Sequence, residues 1–350
     1  MQIIKSDVNF NFIDNRKIAY LLSAVMLLAT IVSLVIHKGV KYGIDFEGGT
    51  LIQVKFDTPA SMDDIKKGLN TLGLKNSTVQ LFGEKKENEY LVRTDLTIAN
   101  SEAFSKKMQN VLKETTGTLA DIRRVEMVGP QVGKDLKEKA LLALFYTLLF
   151  IAIYISGRFE LKWLLSGFIA VVLIGALTLI MKICNYFSFE NSVPLLIASA
   201  LVVTLALFWV FKLAYAMGAI VALIHDVAIT IGIFSMLDIE FTLPVIAALL
   251  SILGYSLNDT IIVFDRIREN STKSKKIFFG TVINTSINET LSRTLITALS
   301  TLVVVVTLYF MGGAIIHDFA FALLVGIITG TYSSIFVASP ILIAFQGVKK

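Results

Sequence analysis

The feature that most limits what this chain can fold into is a run such as residues 18–36, IAYLLSAVMLLATIVSLVI, in which 19 residues pass without a charge. Crossing the hydrocarbon of a bilayer takes about 20 apolar helical residues, because no water is present to satisfy a backbone N–H or C=O. Largely apolar runs recur at 138–156, 163–181, 193–211, 214–236, 242–264, 291–312 and 318–345. The predicted architecture is a polytopic α-helical membrane protein of about eight spans. Composition agrees: 55% of the 350 residues are hydrophobic, 17% are charged, and the mean hydropathy is +0.73, whereas soluble domains are more polar. The first run follows basic residues but lacks a small-residue cleavage site, so it is expected to remain as an anchor.

Orientation follows from the basic residues of the short connections. Lys5, Arg16, Lys17, Arg158, Lys162, Lys212, Arg266, Arg268, Lys273, Lys275, Lys276, Lys349 and Lys350 fall on one side of the alternating spans, and Lys182 falls on the other. Cytoplasmic loops carry the Lys/Arg excess. Both termini are therefore expected in the cytoplasm of a cell (inner) membrane, with residues 37–135 outside. That outer segment contains many lysines, but long domains translocate largely regardless of charge. The net charge of +5 thus has a membrane explanation, and no nucleic-acid partner is expected.

Residues 37–135 read as one small external domain between residues 1–36, the cytoplasmic N-terminus and first span, and residues 136–350, the helical bundle. TLIQVKFD (50–57) alternates, with Ile52, Val54 and Phe56 on one face, the period of a half-buried strand. Ser61 with Asp64 three residues later resembles a capped helix start, and Met62, Ile65, Leu69 and Leu72 follow at helical spacing. Strands STVQLFG (77–83) and EYLVRTD (89–95) come next. A helix from Ser101 has Phe104, Met108, Val111 and Leu112 as its apolar stripe, and a last strand is ADIRRVEMVG (120–129). The order β-α-β-β-α-β is that of a ferredoxin-like α+β unit, and about 80 residues suffice for one modest core. No chemical constellation lies in it, so it is expected to touch something rather than convert it.

Enzyme chemistry is not expected. GPQVGKD (129–135) has Gly-Lys but neither the spacing nor the Ser/Thr of a phosphate-binding loop. His37, His225 and His317 are scattered, no Cys/His cluster has metal spacing, and the single Cys184 can form no intrachain disulfide. Any work this protein does is not expected to draw on an ATPase of its own.

The remaining signal is charge inside the spans. Asp259 lies in GYSLNDTIIVFDRIREN (254–270), beside Asn258 and about 8 Å from the inner end of its span at 1.5 Å per residue. Arg293, in NETLSRTLITALSTL (288–302), lies at similar depth in the next span. Ionisable groups at such depth are costly unless paired or hydrated, and they mark ion pathways. The two could meet across neighbouring helices, but Asp259 could also be a carboxylate satisfied by a neighbouring helix without titrating, and Arg293 could snorkel to the interface. His225 and Asp226, in ALIHDV (222–227), suit a water path or a hydrogen bond between helices equally. His317–Asp318 reads as an interfacial pair. YGIDFEGGT (42–50) joins the first span to the outer segment. Its Gly43, Asp45, Gly48 and Gly49, with Gly129 and Gly133 at the return, form the candidate hinges or tight turns.

These stretches, with VGPQVG (128–133), RFE (158–160) and GTYSSIFVASP (330–340), resemble the SecD/SecF family of protein-export membrane subunits over almost the whole chain. The resemblance implies a proton-driven machine related to the resistance-nodulation-division exporters. A SecD-type subunit would be the partner, each subunit giving six spans and an external domain. A SecY-type channel complex would lie beside it, exported polypeptide chains would be its clients and membrane lipid its surroundings. Protons would be the coupling ion, with no other cofactor. The family's membrane charges carry over to Asp259 and Arg293, with Asn258 and Asp226 as further candidates, and another carboxylate would belong to the partner.

One departure is plain. In the family RFE is followed closely by the ALIHDV span, whereas here residues 161–212 intervene with two of the eight runs. An even insertion preserves downstream orientation, and a peripheral hairpin is expected. Two rival functions are a proton-coupled small-molecule exporter, disfavoured by the single small external domain, and an assembly factor whose membrane charges only join helices.

Overall fold

The computed structural model describes residues 9–75, 77–83, 85–96, 102–160, 163–186, 192–273 and 277–346. Ser101 and the basic residues Lys5, Lys162, Lys275, Lys276, Lys349 and Lys350 lie outside them, as does the side chain of Cys184. The chain runs α1 (Arg16–Ile36), α2 (Ile44–Glu47), β1 (Gly49–Phe56), α3 (Met62–Thr71), β2 (Thr78–Phe82), β3 (Glu89–Thr94), α4 (Glu102–Thr116), β4 (Ala120–Val128), α5 (Pro130–Glu160), α6 (Trp163–Tyr186), α7 (Ser192–Val210), α8 (Ala214–Met236), α9 (Leu243–Lys273), α10 (Phe279–Met311), α11 (Ala314–Ser333), a π-helical turn (Ser334–Ala338) and α12 (Ser339–Gln346). Among the described residues, six helical segments are long and apolar enough to cross a membrane: α1, α5, α8, α9, α10, and Ile316–Phe345 across the π turn.

The strands form one antiparallel sheet of order β2-β3-β1-β4. Alternation along β1 buries Ile52, Val54 and Phe56 against Ile65 and Leu69 of α3 and Met108 and Leu112 of α4. Each such side chain contributes about 1.5–3 kcal/mol by leaving water, and this layer is the domain's core. Two local expectations are corrected. Met62 is exposed, since it is the first helical residue and lies off the stripe. Asp64 does not complete a cap: Ser61 Oγ accepts from the Asp63 N–H at 3.3 Å, while Asp64 pairs with Lys67 at 2.8 Å. In β4 a bulge leaves Arg123 without a partner in β1, because Gln53 faces Arg124 and Val54 faces Ile122. Expressed alone, residues 40–130 are expected to give a soluble fragment with mixed α/β circular dichroism and a cooperative melt. A fragment that needs detergent would contradict an independent core.

The domain joins the membrane helices through glycines with little space around them. Gly48 and Gly49 have φ of 79° and 116°, a region that only glycine enters cheaply. A Cβ on Gly49 would collide with the Thr94 carbonyl oxygen, and one on Gly48 would lie 2.9 Å from Pro130 Cα. Gly133, in the first turn of α5, has the Phe46 carbonyl oxygen 2.9 Å from where its Cβ would be, and Gly43 has Thr242 Cγ2 at 2.9 Å. Gly129 has open space beside it.

The bundle is built on α8, whose small residues Ala216, Gly218, Ala219 and Ala222 are buried. Lipid tails are as apolar as leucine, so membrane helices associate through close backbone approach. Gly326 and Gly330 of α11, spaced as G-x-x-x-G, admit Ile252 and Ser256 of α9. Gly232 of α8 likewise receives Thr30 of α1, and Ser33 and Ser235 hydroxyls meet at 2.8 Å. One end of the bundle gathers the ion pairs Arg158–Asp265 (2.7 Å) and Arg266–Glu289 (2.6 Å), together with residues 10–13, whose backbone is held by Asn284 and Asn288. The other end bears the α+β domain.

Helices α6 and α7 pack on each other and chiefly against α5 and α8, where Ile169, Ala200 and Phe208 meet Phe145, Leu148 and Leu149. The ends of this insertion lie together: Glu160 Oε1 accepts the Tyr215 N–H at 3.0 Å, and Phe159 stacks on Tyr215 at 5.2 Å. Removing residues 161–210 would uncover apolar side chains to lipid, which costs little. The deletion is expected to leave partner binding and export largely intact. Complete loss of export by a deletant that accumulates normally would show the hairpin to be indispensable.

Candidate functional site

Asp226 is the better connected of the two mid-membrane aspartates. It is 0% exposed on α8 and draws on four elements. The hydroxyls of Ser256 on α9 and Ser333 on α11 both donate to its Oδ2 at 2.7 Å, and His225 Nδ1 lies 3.0 Å from its Oδ1. His225 Nε2 is 3.1 Å from Ser23 Oγ on α1, which lies 3.0 Å from the Tyr332 hydroxyl; that hydroxyl donates to the Ala19 carbonyl at 2.7 Å. When Nδ1 carries the proton toward Asp226, Nε2 is free to accept from Ser23, so the carboxylate selects the imidazole tautomer. These bonds tie α1, α8, α9 and α11 into one hydrogen-bonded junction. Directly after Ser333 the helix widens into the π turn, where Ser339 Oγ donates to the Ser334 carbonyl at 2.7 Å. Such π-helical insertions occur frequently at functional sites.

Asp259, three residues after Ser256 on the same helix, has the opposite character. It is 0% exposed, and neither carboxylate oxygen has a hydrogen-bond partner among the described residues. Ser292 Oγ and Thr294 Oγ1, flanking Arg293 on the adjoining α10, are also buried without partners among the described residues. Asp259 and Arg293 form no ion pair in this structure, so the expected contact between them is not seen. Arg293 and Asn258 are both exposed at the surface of this chain. On α10 the exposed face runs on from Arg293 through Ser300 to Thr307, at heptad spacing, and on α9 Ser251, Gly254 and Asn258 are exposed in the same way.

The connection residues cluster at the outer end. Asp45 Oδ2 accepts the Leu243 N–H at 2.8 Å, and Gly43 donates its N–H to the Phe241 carbonyl at 2.7 Å. Gly43, Asp45, Gly48, Gly49 and Gly133 are thereby brought to one seam, with Gly129 at its edge. His317 Nδ1 and Asp318 Oδ1 lie 3.1 Å apart, half-exposed, with the His317 ring beside Tyr309. Among the described residues, no group of three or more His, Cys, Asp or Glu could hold a metal ion. Sequence reasoning missed Ser256, Ser333, Ser23 and Tyr332. Ser256, Tyr332 and Ser333 lay inside the quoted motifs GYSLNDTIIVFDRIREN and GTYSSIFVASP, but nothing in the sequence singled out their hydroxyls.

Bundle, seam and buried carboxylates together define a polytopic helical membrane protein with an appended α+β domain and ionisable groups at membrane depth. The family model for "Protein export membrane protein SecD/SecF, C-terminal" matches residues 107–198 and 187–348, and that for the "SecD/SecF GG Motif" matches residues 33–60. The chain is 39% identical over 342 residues to the protein translocase subunit SecF of Desulfurispirillum indicum, covering 96% of this chain and 91% of that one. It is 40% identical over 347 residues to that of Magnetococcus marinus, covering 98% and 94%. The crystal structure of SecDF, a translocon-associated membrane protein from Thermus thermophilus, superposes with a TM-score of 0.68 at 29% identity over 99% of this chain. SecDF in its super-membrane-facing form gives 0.57, also at 29% identity. This chain spans 40% of the length of either SecDF chain. It belongs to the SecD/SecF family, on the side of the SecF translocase subunits.

Proposed function

We propose that this chain acts with a SecD-type subunit beside a SecY-type channel, using the proton motive force to promote late steps in the export of polypeptide chains. Asp259 and Arg293 form the proton-coupling pair, with Asn258 and Asp226 as accessory groups. The single observation that carries the reading is Asp259: a carboxylate fully buried in an apolar membrane helix, yet accepting no hydrogen bond from any described residue. A buried carboxylate far from a cation takes up a proton, whereas one beside a guanidinium keeps its charge. Arginine suits the fixed role because it stays charged throughout. Each charge that crosses the full potential supplies about 2.3 kcal/mol per 100 mV.

The partner reading rests on Asn258 of α9 and Arg293 of α10, exposed among apolar neighbours such as Leu299 and Val303, since asparagine and arginine at membrane depth call for a protein or aqueous neighbour rather than lipid. We assign the α+β domain, residues 37–135, to the ferredoxin-like class and to the outer side of the cell inner membrane, with both termini cytoplasmic and eight spans once α6 and α7 are included. The gathering of Arg158, Arg266 and Arg268 at the end opposite that domain favours this orientation. The rival, a small-molecule exporter of the resistance-nodulation-division type, is disfavoured by the single small domain. The test is export into vesicles carrying the chain and its partner, with and without an imposed proton gradient. Equal export in the two conditions would refute proton coupling.

A further inference from the structure

We propose that Arg93 is the positioning residue that fastens the α+β domain to the α8–α9 turn, so that domain and turn move as one body during export. The proposal rests on the reading that the membrane helices drive export, and it names the point where their motion enters the domain. Arg93 lies on β3, which is paired on both sides by β1 and β2, so its backbone is fixed within the sheet. Its guanidinium spans two segments: Nη1 donates to Glu240 Oε1 in the α8–α9 turn at 2.8 Å, and Nη2 donates to Glu47 Oε2 on α2 at 2.6 Å. The Arg93 side chain is 18% exposed and that of Glu240 is 22% exposed, and partly buried charges are less screened by salt than surface ones. The planar fork of arginine holds two carboxylates in a defined geometry, which a lysine could not.

The same turn is fixed at further points. Lys41 Nζ pairs with Asp238 at 2.8 Å, Phe241 donates its N–H to the Lys41 carbonyl at 2.8 Å, and Gly43 returns an N–H to the Phe241 carbonyl at 2.7 Å. Leu243, at the start of α9, donates to Asp45. A free hinge at the connection would need backbone room, yet Gly43, Gly48, Gly49 and Gly133 are packed against Thr242, Pro130, Thr94 and Phe46. The turn itself joins the helix bearing Asp226 to the helix bearing Asp259. A shift of α8 or α9 therefore reaches Glu240, and through Arg93 the sheet, without bending the connection.

Two measurements test this in vesicles carrying the chain with its partner complex. In the first, export with a proton gradient is divided by export without one. Arg93→Glu brings three carboxylates together and is expected to lower that ratio severalfold. Glu240→Arg should lower it similarly, and the double variant Arg93→Glu/Glu240→Arg, which restores opposite charges, should recover most of it. A double variant as impaired as the singles overturns the pairing. The second measurement needs no gradient. Spin labels are placed at Lys55→Cys in the domain and Leu237→Cys in the turn, in a Cys184→Ser background, which removes the one native cysteine. A single, unchanged distance at rest and during export is expected, and a second distance during export would overturn the one-body proposal. Equal wild-type export with and without the gradient refutes proton coupling alone and leaves the clamp to be decided by the label distances.

Discussion

Asp259→Asn is expected to assemble with a SecD-type partner, to abolish any gradient-dependent part of export and to leave the gradient-independent part. The amide keeps the size of the carboxylate but can neither carry a charge nor exchange a proton at membrane depth. Because neither oxygen of Asp259 accepts a hydrogen bond from a described residue, the substitution removes no such bond, and folding should be nearly unaffected. Arg293→Met is expected to give the same loss by another route: the carboxylate then has no fixed cation to hold its charge, so its protonation no longer alternates with helix position. Both are measured as export with and without a proton gradient in vesicles carrying equal amounts of each variant. Full gradient-dependent stimulation by Asp259→Asn would make the carboxylate structural and sink the mechanism. The same pair of variants separates a coupling subunit from an assembly factor, since assembly survives in the first case and fails in the second.

Asp226→Ala is expected to do what Asp259→Asn does not, namely destabilise the bundle. It removes the shared acceptor of Ser256 and Ser333 and the partner of His225. Hydrogen bonds between membrane helices are worth about 0.6 kcal/mol on average and up to about 1.7. Losing three at once, with buried groups left unpaired, should cost about 2–5 kcal/mol. The check is the detergent-unfolding midpoint of the purified complex. Asp226→Asn keeps one acceptor oxygen and should lose about 1 kcal/mol by the same scale. If it exports normally with a gradient, Asp226 is a structural junction and drops out of the proton path. If it is stable and loses gradient dependence, ionisation at this junction is part of the cycle.

Six of the eight expected spans were legible in the sequence because hydropathy is a local property, and so were the strands of the domain, whose two-residue alternation appears within eight residues; the other two runs form α6 and α7, whose described apolar stretches are shorter. Helix ends were not. Helix α5 begins at Pro130, not near residue 138, α9 continues to Lys273 and α10 starts at Phe279. Their polar turns lie beyond the apolar core, where they form pairs such as Arg266–Glu289, so hydropathy marks the membrane and not the helix. Asp259 and Arg293 stood out because a charge in an apolar run is conspicuous, but whether they touch depends on side-chain direction across two helices. Ser256 and Ser333 did not stand out, since a serine in a membrane helix is satisfied by its own backbone as readily as by a neighbour. Arg93 and Glu240 are 147 residues apart, and no period in the sequence links a strand residue to a turn.

The polar face that α9 and α10 present outward has a consequence for the cell's accounting of subunits. A copy of this chain without its partner exposes Arg293 and Asn258 at membrane depth. An arginine at the centre of a lipid-facing helix costs about 2.5–3.5 kcal/mol, and one nearer the inner end, as here, costs less because its long side chain can reach the interface. Copies without a partner over this face are therefore expected to turn over faster than assembled ones, which a pulse-chase half-life with and without the partner subunit would show.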